Sequence, residues 1–152
     1  MQFAGQNVLV TGASRGIGRS IAQQFAAQGA RVAVHYRSNR AAADETLASL
    51  DGSGHLLVSA EMGDPQAVQQ LISTVVAAMG RIHILVNNAG IYIDHPLPTT
   101  DYAAWQAAWS RVLAVNLTGV ANAMWCAGQH MIAQGGGRIV NISSRGAFRG
   151  EP

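Results

Sequence analysis

The chain has 152 residues, enough for one domain with its own core. Hydrophobic residues make up 49% and charged residues 12%, which excludes a disordered polymer. The net charge is +2, and the ten basic residues are all arginines, too scattered to form a nucleic-acid or membrane-binding patch.

Strand and helix signals alternate along the chain. Residues 7–11 form an apolar strand, and a helical pattern at 16–28 follows it, closed by Gly29. A second strand is expected at 31–36, a helix at 40–50, a loop at 51–54 and a third strand at 55–60. Asp64 and Pro65 read as an N-cap and first helical position, opening a helix with Val68, Leu71, Ile72, Val75 and Met79 on one stripe. A fourth strand is expected at 82–86, one long helical region at 101–134 and a fifth strand at 138–142. Near-continuous apolar strands between amphipathic helices predict an α/β fold of the Rossmann type. It is a doubly wound parallel sheet in three α/β/α layers, with strand order 3-2-1-4-5. A ligand is then expected at the carboxyl ends of strands 1 and 4.

The most informative stretch is Thr11-Gly12-Ala13-Ser14-Arg15-Gly16-Ile17-Gly18, between the first strand and its helix. Gly12 lets the chain turn sharply, Gly16 lets backbone approach a phosphate, and Gly18 lets helix and sheet pack closely. Free amides and the positive end of the helix dipole converge there on one spot suited to an anion, most often the pyrophosphate of a dinucleotide. The same residues also fit G-x-S-x-G, the elbow of serine hydrolases, with Ser14 as nucleophile. That reading leaves Gly18 without a role and supplies no upstream strand–helix loop for a second oxyanion donor.

Further polar segments fall on the same rim. Asn87-Asn88-Ala89-Gly90 follows strand 4, Asn116-Leu117-Thr118-Gly119 lies within the long helix, and Asn141-Ile142-Ser143-Ser144 closes strand 5. Together with the glycine turn, these motifs resemble the short-chain dehydrogenase/reductase family over essentially the whole chain. The resemblance implies an enzyme that transfers hydride between a nicotinamide cofactor and the carbonyl or alcohol carbon of a small molecule. It implies that Gly12, Ser14, Arg15, Gly16, Ile17 and Gly18 cradle the pyrophosphate and adenosine ribose, and that Asn88, Ala89 and Gly90 line the cofactor. It further implies that Asn116 binds a relay water and that Ser144 hydrogen-bonds the substrate carbonyl, with Ser143 as its structural neighbour. Glu61, beside Met62, stands where the family usually has an aspartate near the adenine, and His83 where it often has aspartate. The motif style resembles 3-oxoacyl-carrier-protein reductases and sugar or alcohol dehydrogenases. A homodimer or homotetramer, paired through the long helix, is also implied.

The end of strand 2 reads His35-Tyr36-Arg37-Ser38-Asn39-Arg40, with no carboxylate to bond the ribose hydroxyls of NAD. Arg37 and Ser38 can instead meet a 2′-phosphate, and Arg15 can reach it from the glycine turn. NADP(H) is therefore expected over NAD(H).

The lone Cys126 fits a reducing cytoplasm, and no histidine has zinc-ligand spacing, so no metal is expected. His35, His55 and His130 read as surface or core histidines, and His95 as a residue near the substrate. Trp105, Trp109 and Trp125 read as core or subunit packing. The family's catalytic tyrosine and lysine follow its serine by about thirteen and seventeen residues. The sequence ends eight residues after Ser144, at Pro152, and contains no lysine. The expectation is a fragment of a longer reductase, with the sheet incomplete at its C-terminal end and little activity alone. The alternative is a catalytically incomplete NADP-binding protein.

Overall fold

The computed structural model describes residues 2–149, so Pro152 lies outside the described residues. In chain order the elements are β1 (Asn7–Val10), α1 (Gly16–Ala27), β2 (Arg31–Tyr36), α2 (Arg40–Ala48), β3 (Leu56–Ser59), α3 (Pro65–Met79) and β4 (Ile84–Asn87). They continue with α4 (Tyr102–Leu113), a π-helical turn (Ala114–Gly119), α5 (Val120–Ala133), β5 (Arg138–Asn141) and a short α6 (Gly146–Arg149). The five strands form one parallel sheet in the order β3-β2-β1-β4-β5. Val8 stands opposite both Val32 and Ile84, which puts β1 at the centre.

Residue alternation divides the core between the two faces of the sheet. Val8, Val10, Val32, Val34, Ile84 and Val86 meet Ala22 and Ala26 of α1. Leu9, Ala33 and Leu85 point the other way, onto the α3 stripe and onto Ala123, Ala127 and Met131 of α5. Each face is thus covered by helices, as expected for parallel strands that are apolar throughout. The sheet edge at β5 is different, because all four of its residues are exposed.

Strand and helix limits shift slightly from the sequence reading, most at β4, which starts at Ile84 rather than 82. The main correction concerns the region 101–134, which is two α-helices joined by a π turn at 114–119. Thr118 Oγ1 donates to the carbonyl oxygens of Leu113 (3.0 Å) and Ala114 (3.2 Å), five and four residues back. Gly119 lies against the backbone of Met62, where any Cβ would collide with the Met62 carbonyl oxygen. The widened turn therefore sits where the helix crosses the chain leaving β3, and such turns recur at functional sites. The tryptophans are also not core residues. Trp109 and Trp125 are exposed, and Trp105 links Tyr102 and Trp109 in a surface ladder of rings with centroids 5.8 and 5.6 Å apart.

Candidate functional site

Beyond β1 the chain turns at Gly12, whose φ of +64° suits glycine and whose Cβ would lie 2.9 Å from Ala89 Cα. Gly18, in the first turn of α1, presses on the same turn. A Cβ there would collide with the Gly12 carbonyl oxygen and lie 2.5 Å from Asn88 Nδ2. Helix α1 enters from Arg15 in extended conformation with no side-chain cap and no acid in its first turn. By contrast α2, α3 and α4 are capped by the side chains of Asn39, Asp64 and Asp101. The first amides of α1 are therefore open to an external acceptor, with the dipole favouring an anion.

The facing wall is the chain leaving β4. Asn88 Nδ2 donates to the carbonyl oxygens of Thr11 (2.9 Å) and Gly12 (3.1 Å). Thr11 Oγ1 accepts from the amides of Asn88 and Ala89, both at 3.0 Å, and donates to the Val86 carbonyl oxygen at 3.3 Å. These bonds fix the mouth of the cleft between residues about 77 positions apart. The sequence reading assigned Thr11 no separate role, and only its polar character at the end of an apolar strand signalled one.

The third wall joins the ends of β2 and β3. His35 is buried, with Nδ1 accepting from the Gly12 amide (3.0 Å) and Nε2 bonded to the Ala60 carbonyl oxygen (3.1 Å). These partners select the neutral Nε2–H tautomer. Burial holds the His35 pKa below its ordinary 6.5, against upward pulls from the Ala60 bond and from Glu61. Arg37 is largely exposed, and its Nε lies 4.0 Å from Glu61 Oε2. The Glu61 carboxylate accepts from Arg111 (2.5 Å) and from the Gly63 amide (3.1 Å). Partial burial raises the Glu61 pKa, but the bonds and charges of Arg111, Gly63 and Arg37 outweigh it and hold the group below the usual carboxylate range.

These walls enclose a cleft of about 510 Å³. Gly12, Ser14, Arg15, Gly16, Ile17 and Gly18 line it from the turn, and Arg37, Ser38, Glu61 and Met62 from the second and third strand ends. Asn88, Ala89 and Gly90 line it from the fourth. Asn116 and Ser144 are not on this lining. Asn116 instead grips the backbone of Ile91, accepting from its amide and donating to its carbonyl oxygen, each at 2.8 Å. Ser144 is exposed, and its hydroxyl accepts from the Gly146 amide at 3.2 Å, at the start of α6.

Among the described residues lining the cleft, the hydrolase reading of Ser14 finds no free histidine as base. His35, the histidine on this lining, spends both ring nitrogens on Gly12 and Ala60. A second cleft, about 670 Å³, runs past Phe3 and past Ile21 and Phe25 of α1, but none of the described residues lining it is titratable. Among the described residues no cluster of three His, Cys, Asp or Glu side chains could hold a metal, and no helix is long and apolar enough to cross a membrane.

The cleft fits a dinucleotide phosphate. An uncapped helix terminus faces a turn where a Cβ has no room, and two guanidinium groups oppose one already-paired carboxylate. The family model described as short chain dehydrogenase matches residues 6–152. A short-chain type dehydrogenase/reductase of Picea abies is 39% identical over 150 residues, covering 93% of this chain and 55% of the relative. A 3-oxoacyl-[acyl-carrier-protein] reductase of Synechocystis is 40% identical over 149 residues, covering 97% and 59%. The crystal structure of a short chain dehydrogenase from Burkholderia cenocepacia, in complex with NADP, superposes with a TM-score of 0.86 at 34% identity. That match covers 100% of this chain and 60% of the other. The chain thus spans a little over half the length of the relatives it matches.

Proposed function

Because the chain belongs to the short-chain dehydrogenase/reductase family, we propose that its cleft binds NADP(H) in preference to NAD(H) and serves carbonyl–alcohol oxidoreduction of a small molecule. The bound cofactor would supply the hydride chemistry. The protein's part is to hold and orient it. In this reading the amides at the start of α1, with Gly12, Ser14, Arg15, Gly16, Ile17 and Gly18, hold the pyrophosphate. Asn88, Ala89 and Gly90 form the facing wall, and Glu61 and Met62 flank the adenine. Arg37, with Ser38, takes the 2′-phosphate by a charge-assisted contact.

Ser144 Oγ already accepts one bond, which leaves its O–H free to donate to a substrate carbonyl oxygen. Asn116 uses one N–H and one lone pair on Ile91 and keeps the others for a relay water. The likeness to 3-oxoacyl-[acyl-carrier-protein] reductases supports a substrate of that kind, with sugar or alcohol substrates as the other candidates. The exposed Leu113, Leu117, Trp125 and Ile132 on α4, the π turn and α5 support pairing of two copies through these helices, as a dimer or tetramer. The lone Cys126 thiol fits a reducing cytoplasm.

The observation that carries the reading is the uncapped start of α1, facing a cleft lined by Arg15 from the turn and Arg37 from the end of β2. Titration of the purified protein with NADPH and NADH, followed by nicotinamide fluorescence, tests it. NADPH should bind about tenfold tighter or better, and Arg37→Ala should abolish the difference. Equal affinities, or no binding of either, would overturn the proposal.

A further inference from the structure

We propose that Arg111, which is not part of the cleft lining, is a specificity-determining residue that holds the Glu61 carboxylate away from Arg37 and so reserves Arg37 for a 2′-phosphate. This inference rests on the NADP(H) reading of the cleft. Among the described residues Glu61 is the one acidic residue lining the cleft, and it shares that lining with Arg15 and Arg37. An unpaired carboxylate there would favour ribose hydroxyls and repel a 2′-phosphate, as an acid at the end of β2 does in NAD sites.

The geometry shows how that charge is managed. Two guanidinium groups approach the same oxygen, Glu61 Oε2. Arg111 is in direct hydrogen-bond contact at 2.5 Å, whereas Arg37 Nε stands at 4.0 Å, the outer limit of an ion pair. The second oxygen, Oε1, is held by the Gly63 amide at 3.1 Å. Both oxygens are therefore drawn toward the π turn and α4. Since attraction falls as the inverse of distance, Arg111 outcompetes Arg37 for the carboxylate. Gly63 makes room for this, because a Cβ there would lie 3.0 Å from an Arg111 guanidinium nitrogen.

Without Arg111 the nearest cation for Glu61 is Arg37. The carboxylate then swings onto it, neutralising the group meant for the phosphate and placing negative charge beside it. Both effects act on a 2′-phosphate and neither acts on a 2′-hydroxyl. Arg111 thus sets cofactor choice through Glu61, from a position 50 residues away in the sequence.

The test is to measure dissociation constants for NADPH and NADH with the parent protein, Arg111→Ala, Arg111→Lys, Glu61→Gln and the double variant Arg111→Ala/Glu61→Gln. Arg111→Ala should weaken NADPH by about 5–30-fold while changing NADH by less than about twofold. Arg111→Lys should recover part of the loss. The double variant should return the NADPH-to-NADH affinity ratio to within about threefold of the parent's, because no carboxylate remains to be held. Glu61→Gln alone, which keeps the side-chain shape and Arg111, should leave the NADPH-to-NADH affinity ratio at or above the parent's, because any loss at the adenine falls on both cofactors alike.

An equal loss for both cofactors in Arg111→Ala, or a double variant whose NADPH-to-NADH ratio stays as low as the single one's, would show a purely structural role and overturn the inference. So would a Glu61→Gln protein whose NADPH-to-NADH affinity ratio falls below the parent's, a result that remains decisive if Arg111→Ala fails to fold. A parent that binds both cofactors equally would overturn the NADP(H) reading, and this inference falls with it. A parent that prefers NADPH, with the ratio unchanged in Arg111→Ala, would overturn the inference alone.

Discussion

Replacing Thr11 by valine removes one hydroxyl and leaves the side-chain volume nearly unchanged. Thr11 is buried, and its oxygen is the acceptor for two amides, Asn88 and Ala89, at 3.0 Å each. Valine matches the shape and offers no acceptor. A donor left unsatisfied out of water costs about 1–3 kcal/mol. Both amides belong to partly buried residues, so water compensates in part, and the expected loss for the pair is about 2–4 kcal/mol. For a chain of this length 1 kcal/mol corresponds to about 2–4 °C, so Tm should fall by roughly 4–16 °C. Thr11→Ser keeps the hydroxyl and loses one methyl, costing about 1 kcal/mol, or roughly 2–4 °C. Thermal unfolding by circular dichroism, with NADPH titration of each variant, measures both effects. A valine variant melting within about 2 °C of the parent, or a serine variant falling as far as valine, would refute the hydroxyl's role.

Two further outcomes follow from the same corner of the fold. Gly18→Ala would force a Cβ against the Gly12 carbonyl oxygen and 2.9 Å from Ala13 Cα, obstacles that are backbone and cannot swing aside. It should cost about 1–3 kcal/mol and abolish NADPH binding, and an unchanged Tm would contradict the contact. His35 is neutral in the fold and its pKa is lowered, chiefly by burial, so the unfolded chain binds more protons below about pH 6.5. Stability is therefore fully present above that pH and is lost as pH falls toward the folded-state pKa, by up to about 1.4 kcal/mol per pH unit for this residue. His83, lowered by burial and by the charge of Arg81, acts in the same direction, whereas the depressed Glu61 carboxyl acts only below its ordinary 4.5. Urea unfolding between pH 7.5 and 5.5 should show a shallower slope for His35→Gln, and parallel slopes for parent and variant would contradict the assignment.

Those parts of the fold written in local sequence were legible before the structure. The alternation of Val8, Leu9 and Val10 and the stripe of α3 set the layers, and the glycine turn with Asn88-Ala89-Gly90 marked the cleft. Arrangements that depend on distant partners were not. The π turn adds nothing to a helical pattern that periodicity can detect, and its cause lies in Met62 and in the hydroxyl of Thr118. Asn116 was read through the family as a water ligand, and only the structure shows its carboxamide clamping Ile91. His35, read as a surface or core histidine, lies in the core and also ties the glycine turn to the end of β3. The Glu61–Arg111 pair spans 50 positions and has no local signature at all.

The central place of β1 has a consequence for how the protein is made. β1 pairs with β2 about 24 residues on and with β4 about 76 residues on, so its second neighbour leaves the ribosome long after its first. Until β4 docks, Thr11 has no amides to receive and the phosphate corner lacks its facing wall. Nascent chains shorter than about ninety residues plus the exit-tunnel length should therefore lack coenzyme affinity altogether, and β1 remains an unprotected, aggregation-prone edge through that interval of synthesis.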